Sequence, residues 1–417
     1  MRNRLLKVLP AAMALLVAGG TARASETDGE FHAYFRTGAG HNTGGGEQAC
    51  FGLEGVGKYR LGNECDSYGE FLYFKEVARS ANGARFVAHF MGNIAADGYD
   101  FGTASKYVSQ AFIEAVDLDF LQGGRAWMGQ RYYHRLDIHT IDYKWLHSDG
   151  VGAGIEGFPL GPGRFSYALF RDDKLDEKVL RSLDDRPIGG ARHTSATRQN
   201  ITYEGVEVNP NGTLQLDLTW IGKDTANSGA HGGWSVSLVH LQDKVLGGDN
   251  KFGVQYGVGP GTLIGGTADI TLGPDVTRAR VFDQLIWQAT PDLCGALVGL
   301  VQRDRSAAGT RTWATIGVRP VYSVTDNIKL QLDLGHDRIR PEAGGATQKL
   351  TKITFAPTLT AGRGFWTRPE LRAFVTYAKW NTAAQLAASA GSTLSSTGVF
   401  GGNTHGASAG LQVEAWF

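Results

Sequence analysis

Alternation of apolar and polar residues with a period of two recurs along this chain and runs to its last residue. In the final eight residues, Leu411, Val413, Ala415 and Phe417 share one face, while Gln412, Glu414 and Trp416 share the other. Leu214, Leu216, Leu218 and Trp220 likewise oppose Gln215, Asp217 and Thr219, and residues 328–334 repeat the pattern. In residues 85–94, Arg85, His89 and Asn93 lie opposite Phe86, Phe90 and Ile94. This period belongs to strands with two unlike faces. Roughly fifteen to eighteen such segments of about ten residues can be placed, the length a tilted membrane strand needs. A soluble β-protein alternates too, so one segment decides nothing. Many evenly spaced segments with no helical pattern between them favour a closed barrel. A soluble protein ending as this one does would also leave apolar residues on an unprotected edge.

The connections differ in character. Residues 209–212 (NPNG), 325–327 (TDN) and 361–364 (AGRG) read as tight turns, whereas 171–200, 223–232 and 381–406 are long and polar or glycine-rich. Short turns at one end and long loops at the other are the pattern of outer-membrane barrels. The charge run 172–185 reads as a solvated loop. Dividing roughly 390 exported residues by about twenty-two per strand and connection suggests some eighteen strands. The expected fold is all-β, a transmembrane antiparallel barrel.

The N-terminus fits export. Arg2, Arg4 and Lys7 precede a short apolar core, and Ala22-Arg23-Ala24 is a small-x-small cleavage site. Residues 1–24 therefore read as a signal peptide too short to span a membrane, and 25–417 as a single barrel domain. No later run reaches the ~18–20 apolar residues a spanning helix needs. The 41 basic and 41 acidic residues balance, which leaves no basic face for nucleic acid. Cys50 and Cys65 lie close together in a glycine-rich stretch of an exported chain, where disulfides persist, and are expected to pair. Cys294 reads as a buried or lipid-facing small residue. No second Cys or His stands at ligand spacing, so neither a metal nor a cofactor is expected.

Residues 131–154 (RYYHRLDIHTIDYKWLHSDGVGAG) are too polar for lipid and rich in aromatics. They follow a strand-like run at 126–130 and end in glycines before another at 164–170. One reading folds them into the barrel mouth as a constriction; the other leaves them an exposed loop. Parity places aromatics on the water side. Tyr34 shares a face with His32 and Arg36, Tyr68 with Glu70 and Glu76, Trp366 with Arg368 and Glu370, and Trp416 with Glu414. Tyr99 and Phe101 sit on a loop that could reach inward. Rings facing water fit either packing against an inward loop or stacking on sugars. Pyranose rings have apolar C–H faces and hydroxyl rims. A row of shallow stacking sites then lets a sugar slide without a deep trap. Arg36, Arg60, Arg135, Glu70 and Asp142 are candidate hydroxyl partners.

Several segments resemble those of the maltoporins, outer-membrane sugar porins: EQAC at 47–50, KYRLGNEC at 58–65, DIHTID at 137–142, VGAG at 151–154, NKF at 250–252, GVRP at 317–320 and TYAKW at 376–380. The aromatic C-terminal strand also looks like an outer-membrane insertion signal. The resemblance runs through the chain in order. It implies a trimer of eighteen-stranded barrels with an inward third loop, conducting maltose, maltodextrins or a related oligosaccharide. It places Tyr34, Tyr68, Trp366 and Trp416 on an aromatic slide, and Arg36, Arg60, Arg135, Glu70 and Asp142 on polar tracks. A slide tryptophan donated by the neighbouring subunit has no match, Tyr99 lying nearest. The constriction tyrosine falls on Lys144, with Tyr143 adjacent; the mid-slide phenylalanine falls on Asp249, and one track arginine on Val108. The expected channel is more charged than a maltodextrin-selective one. A porin for another sugar such as sucrose, and a general diffusion or ion porin, remain alternatives. A barrel enzyme would need a nucleophile beside His139 and Asp137, and no serine stands there.

Overall fold

The computed structural model describes residues 29–172, 195–223 and 229–417. The expected signal peptide at 1–24, the charge run beyond Asp172 and the centre of the 223–232 loop lie outside the described residues. The strands are β1 (Glu30–Asn42), β2 (Asp66–Arg79), β3 (Arg85–Asp97), β4 (Ser105–Val116), β5 (Arg125–Arg131), β6 (Arg135–Ile138), β7 (Tyr143–His147), β8 (Gly150–Leu160), β9 (Gly163–Asp172) and β10 (Ala196–Asn209). They continue with β11 (Gly212–Gly222), β12 (Gly233–Val245), β13 (Gly248–Val258), β14 (Thr277–Thr290), β15 (Leu293–Ser306), β16 (Gly309–Ser323), β17 (Ile328–Pro341), β18 (Gln348–Thr360), β19 (Glu370–Trp380) and β20 (His405–Trp416).

Eighteen of these strands form one antiparallel sheet, and β6 and β7 form a separate hairpin. The sheet closes where β1 pairs with β20, from Tyr34 opposite Trp416 to Asn42 opposite Ser408. Beyond Trp416 the backbones of Ala33 and Phe417 exchange two more hydrogen bonds, at 3.0 and 3.1 Å. Closure leaves no sheet edge, which hydrocarbon requires. The outward faces are apolar, with Leu297, Ile316, Leu334, Val375 and Leu411 all exposed. Tight connections such as Pro210-Asn211 lie at the end that carries both chain termini; the longer segments 43–65, 132–149, 259–276 and 381–404 lie at the other, outer end.

Two sequence readings need correction here. The glycine cluster at 150–154 does not end the inward stretch: it begins β8, a barrel strand paired with β5 and β9. Its glycines conceal the alternation because Gly152 and Gly154 stand where a Cβ would meet the backbone of β9. The turn expected at 361–364 runs on to the start of β19 at Glu370, so Trp366 belongs to a turn and its strand parity does not apply.

The segment between β5 and β8 does fold inward and crosses the lumen to the far wall. Ile138 and Ile141 are fully buried, and the Trp145 ring lies 5.3 Å from that of Phe282 on β14. The Tyr143 ring lies 5.2 Å from Trp313, and its hydroxyl donates to Gln302 at 2.5 Å. The carbonyl of Trp145 accepts from Gln255 at 2.9 Å and from Arg280 at 3.2 Å. The β1–β2 loop follows it inside. Lys58 and Arg60 donate backbone hydrogen bonds to Ile141 and Thr140 at 2.8 and 3.1 Å, while Phe51, Tyr59 and Leu61 are buried. The Cys50–Cys65 disulfide closes this loop, as expected from its spacing. Cys294 is buried on the inner face of β15. A hydrophobic core thus fills one side of the barrel and confines the open lumen to the wall of β20 and β1–β4.

Replacing Trp145 by alanine removes the largest ring that pins the inward loop to the wall, at a cost of roughly 3–5 kcal/mol in local packing. The expected result is an intact barrel with a wider pore. Single-channel ion conductance in planar bilayers checks this, and an unchanged conductance would show the loop held by other contacts.

Candidate functional site

The open lumen is a cavity of about 1590 Å³ lined by β1–β4, the end of β20 and the two inward loops. Three rings, Tyr68, Tyr34 and Trp416, line its wall, and Trp366 continues the row beyond the cavity at the inner end. Tyr68 enters near the outer end of β2; its ring lies 6.1 Å from that of Tyr34 on β1. Tyr34 lies 6.4 Å from Trp416, nearly parallel at 23°, and Trp416 lies 6.4 Å from Trp366. Alternation dictates the first three, because even-numbered residues of β1, β2 and β20 face inward. The inner turn delivers Trp366. The row therefore descends from the outer third of the lumen to its inner exit.

Guanidinium groups fix these rings. Arg36 lies 5.2 Å from the Tyr68 centroid and Arg368 lies 4.2 Å from that of Trp416. Such contacts contribute about 0.5–2 kcal/mol each, more when desolvated. Arg368 is itself held by Glu414 at 3.0 Å and Glu370 at 3.2 Å.

Arg60 is the electrostatic node. It donates to Glu64 at 2.6 Å, to the Tyr34 hydroxyl at 2.7 Å, to Nδ1 of His139 at 2.9 Å and to Glu414 at 3.3 Å; Asp142 is 3.9 Å away. The β1–β2 loop, the inward loop, β1 and β20 are thereby joined through one side chain. Arg36 forms a two-toothed contact with Asp66 at 2.6 and 3.3 Å. Across the lumen Arg135 reaches Glu70 at 3.4 Å and Asp149 at 3.6 Å, and Glu70 accepts from the Tyr68 hydroxyl at 2.5 Å. Six cationic side chains (Arg36, Lys58, Arg60, Lys106, Arg135 and Lys144) and five carboxylates line the cavity, so its charge is close to balanced.

Burial opposes ionisation of Asp142. Arg60, then Arg36, Lys58 and Lys144, outweigh it and hold the carboxyl well below the usual carboxylate range. Burial, reinforced by Arg60, pushes His139 well below the usual imidazole range, so its ring is neutral and accepts from Arg60. Burial raises the Asp137 carboxyl.

Not every expected residue lies on this surface. Tyr143, expected at the constriction, is only 1 % exposed and faces the wall, because its ring and hydroxyl anchor the loop. Lys144 next to it lines the lumen. Tyr99 turns into its own barrel, donating to Gln48 and to the Glu64 carbonyl, and does not line the cavity. Val108 faces outward, opposite Gly92, because a bulge at Ser109 reverses the parity of β4. Tyr107 takes the inward place, opposite Asn93. Asp249 lies beside the inner turn at the start of β13, so a ring missing there is missing at the exit and not midway. Reasoning from sequence gave no site role to Glu64, Glu414, Tyr107 or Tyr132. Alternation had already placed Glu414 on the water-facing side, whereas Tyr107 needed the bulge. His139 was noticed only as a partner of Asp137, whereas its ring nitrogens face Arg60 and Glu414.

Residues 29–417 match the family model described as LamB porin. Solved structures similar to this chain include OccAB1 of Acinetobacter baumannii, with 11% identity, a TM-score of 0.52 and coverage of 95% of this chain and 99% of that one. OpdQ of Pseudomonas aeruginosa has 10% identity, a TM-score of 0.49 and coverage of 94% and 99%. The trimer form of OmpT of Vibrio cholerae has 12% identity, a TM-score of 0.46 and coverage of 94% and 99%.

Because Arg60 is the strongest influence lowering the Asp142 pKa, Arg60→Gln is expected to raise it toward the ordinary range. A carboxylate with a depressed pKa contributes its stabilising pairing above its unfolded pKa and loses it as pH falls through the folded value. In the variant that loss moves up in pH. The reversal potential in a salt gradient should then diverge from the native channel's as pH falls from 7 to 4. Parallel curves would show that Arg60 does not set this charge.

Proposed function

We propose that this chain, which belongs to the LamB porin family, conducts a neutral oligosaccharide by passive diffusion along the Tyr68–Tyr34–Trp416–Trp366 row. The fold and the family make it an outer-membrane porin; the sugar is our reading. It is carried by the spacing of those rings, 6.1 to 6.4 Å from one to the next. A pyranose leaving one ring overlaps the next before losing the first, so no step exposes its apolar face fully to water. Arg36, Arg60, Glu70, Arg135, Asp142 and Lys144 flank the row as donors and acceptors for hydroxyls. Paired charges of both signs favour a neutral polar solute over an ion, since an ion would meet attraction and repulsion on the same path.

The substrate class is maltose, a maltodextrin or another oligosaccharide such as sucrose. Long maltodextrins bind weakly in this reading. Tyr143 is used as an anchor, Lys144 stands in the lumen, and Asp249, at the inner end of β13, stands where the resemblance would put a further ring. Residues 1–24 serve as the cleaved signal peptide, and 25–417 form the exported barrel. The family membership supports a homotrimer. The alternative is a general diffusion or ion porin, which would not need the rings.

Liposome swelling separates these readings. Tyr34→Ala is expected to slow entry of maltose or sucrose severalfold while leaving an uncharged non-sugar of equal size unaffected. Equal slowing of both solutes would reduce the row to a steric lining. Titrating maltodextrins of increasing length against single-channel current is expected to give shallow block; tight, length-dependent block would contradict the weak-binding reading.

A further inference from the structure

The outward face of β15–β19 changes character abruptly at its outer rim. Going outward on β15, Val301 gives way to Arg303 and Arg305; on β17, Leu334 gives way to His336, Arg338 and Arg340. On β18 the sequence is Ile353, Thr351, Lys349, and on β19 Tyr377 is followed by Lys379. The strand register brings these cations together. Arg338 stands directly opposite Lys349, and Arg303 and Arg340 flank Thr312 on either side.

Like charges directly opposite one another destabilise a sheet unless an anion lies between them. The protein supplies little. The carboxylate of Glu342 is already occupied by both arms of Arg303, at 2.8 and 2.7 Å, and by the Thr312 hydroxyl at 2.9 Å. Arg338 and Lys349 have no carboxylate partner among the described residues. On β11–β13 the corresponding girdle is instead neutral, with Trp220 opposite Trp234 and Trp234 5.7 Å from Tyr256.

We propose that this rim arc is a docking surface for the phosphorylated headgroups of glycolipid in the outer leaflet. Its height decides the occupant. The cations sit one to three outward-facing positions above the apolar band, where long side chains reach the headgroups. A phosphate offers several acceptor oxygens in the geometry that the arginine fork binds two at a time. The hydroxyls of Thr310 and Thr351 lie among the cations, suited to the sugar hydroxyls beside such a phosphate. The surface is separate from the lumen and does not depend on which solute the channel carries.

The test uses the purified full-length protein in micelles, titrated with bis-phosphorylated lipid A, its dephosphorylated form and inorganic phosphate. Binding of the phosphorylated lipid is expected to weaken at least tenfold in the Arg338→Gln/Lys349→Gln double variant, and to recover in Arg338→Lys/Lys349→Arg. Glu342→Gln releases Arg303 and is expected to tighten binding, a gain that misfolding could not produce. Equal affinity for the dephosphorylated lipid, unchanged affinity in the double variant or weaker binding by Glu342→Gln would overturn the proposal. So would complete displacement by millimolar inorganic phosphate, which would make the arc a free-anion site.

Discussion

Hydrocarbon offers no partner for a backbone N–H or C=O, and every other feature of this molecule follows from meeting that condition with strands. The bonds between β1 and β20 complete the ring, and Phe417 pairs with Ala33 beyond the end of β20. Once the ring is closed, alternation has a fixed meaning. Each strand sends one set of side chains to lipid and the other to the lumen, with no freedom to exchange them except at a bulge.

An eighteen-stranded ring alone would enclose a wide hole. Here a hydrophobic core is built inside it, from Ile138, Ile141, Tyr143 and Trp145 of one loop and Phe51 and Tyr59 of another, against the wall of β12–β19. That core fills one side of the lumen and leaves the polar tips of both loops facing β20 and β1–β4. The lumen charges then become a connected network rather than scattered residues. Arg60 is the clearest case, since the carboxylates around it come from two loops and a strand on the opposite side of the sequence. Around Arg60 such a network is stable in a narrow wet space because the ions keep counter-ions and hydrogen bonds. It leaves the row of rings as the continuous apolar surface in an otherwise charged passage.

The same alternation organises the outside. On β11–β13 the transition from lipid to water at the outer rim is made by aromatic rings, which tolerate both. Along β15–β19 it is made by cations in register, so the barrel presents two different faces to its membrane.

Alternation was enough to read the barrel, the water-facing placement of Tyr34, Tyr68 and Trp416, and the amphipathic terminal strand, because facing direction is a local property of a strand; the strand number came from chain length. The pairing of Cys50 with Cys65 was legible for a similar reason, the two being fifteen residues apart. What lay beyond the sequence depended on distant contacts. Tyr143 is turned from the constriction to the wall by Gln302, 159 residues later. Tyr107 replaces Val108 in the lumen because one extra residue in β4 reverses its parity. Trp366 reaches the row from a turn, where no periodicity applies, and Arg60 gathers its partners from loops whose path only the packed interior decides. Period two fixes which side of the sheet a residue faces; where a loop docks is fixed by the surface it meets, and that surface exists only after the ring has closed.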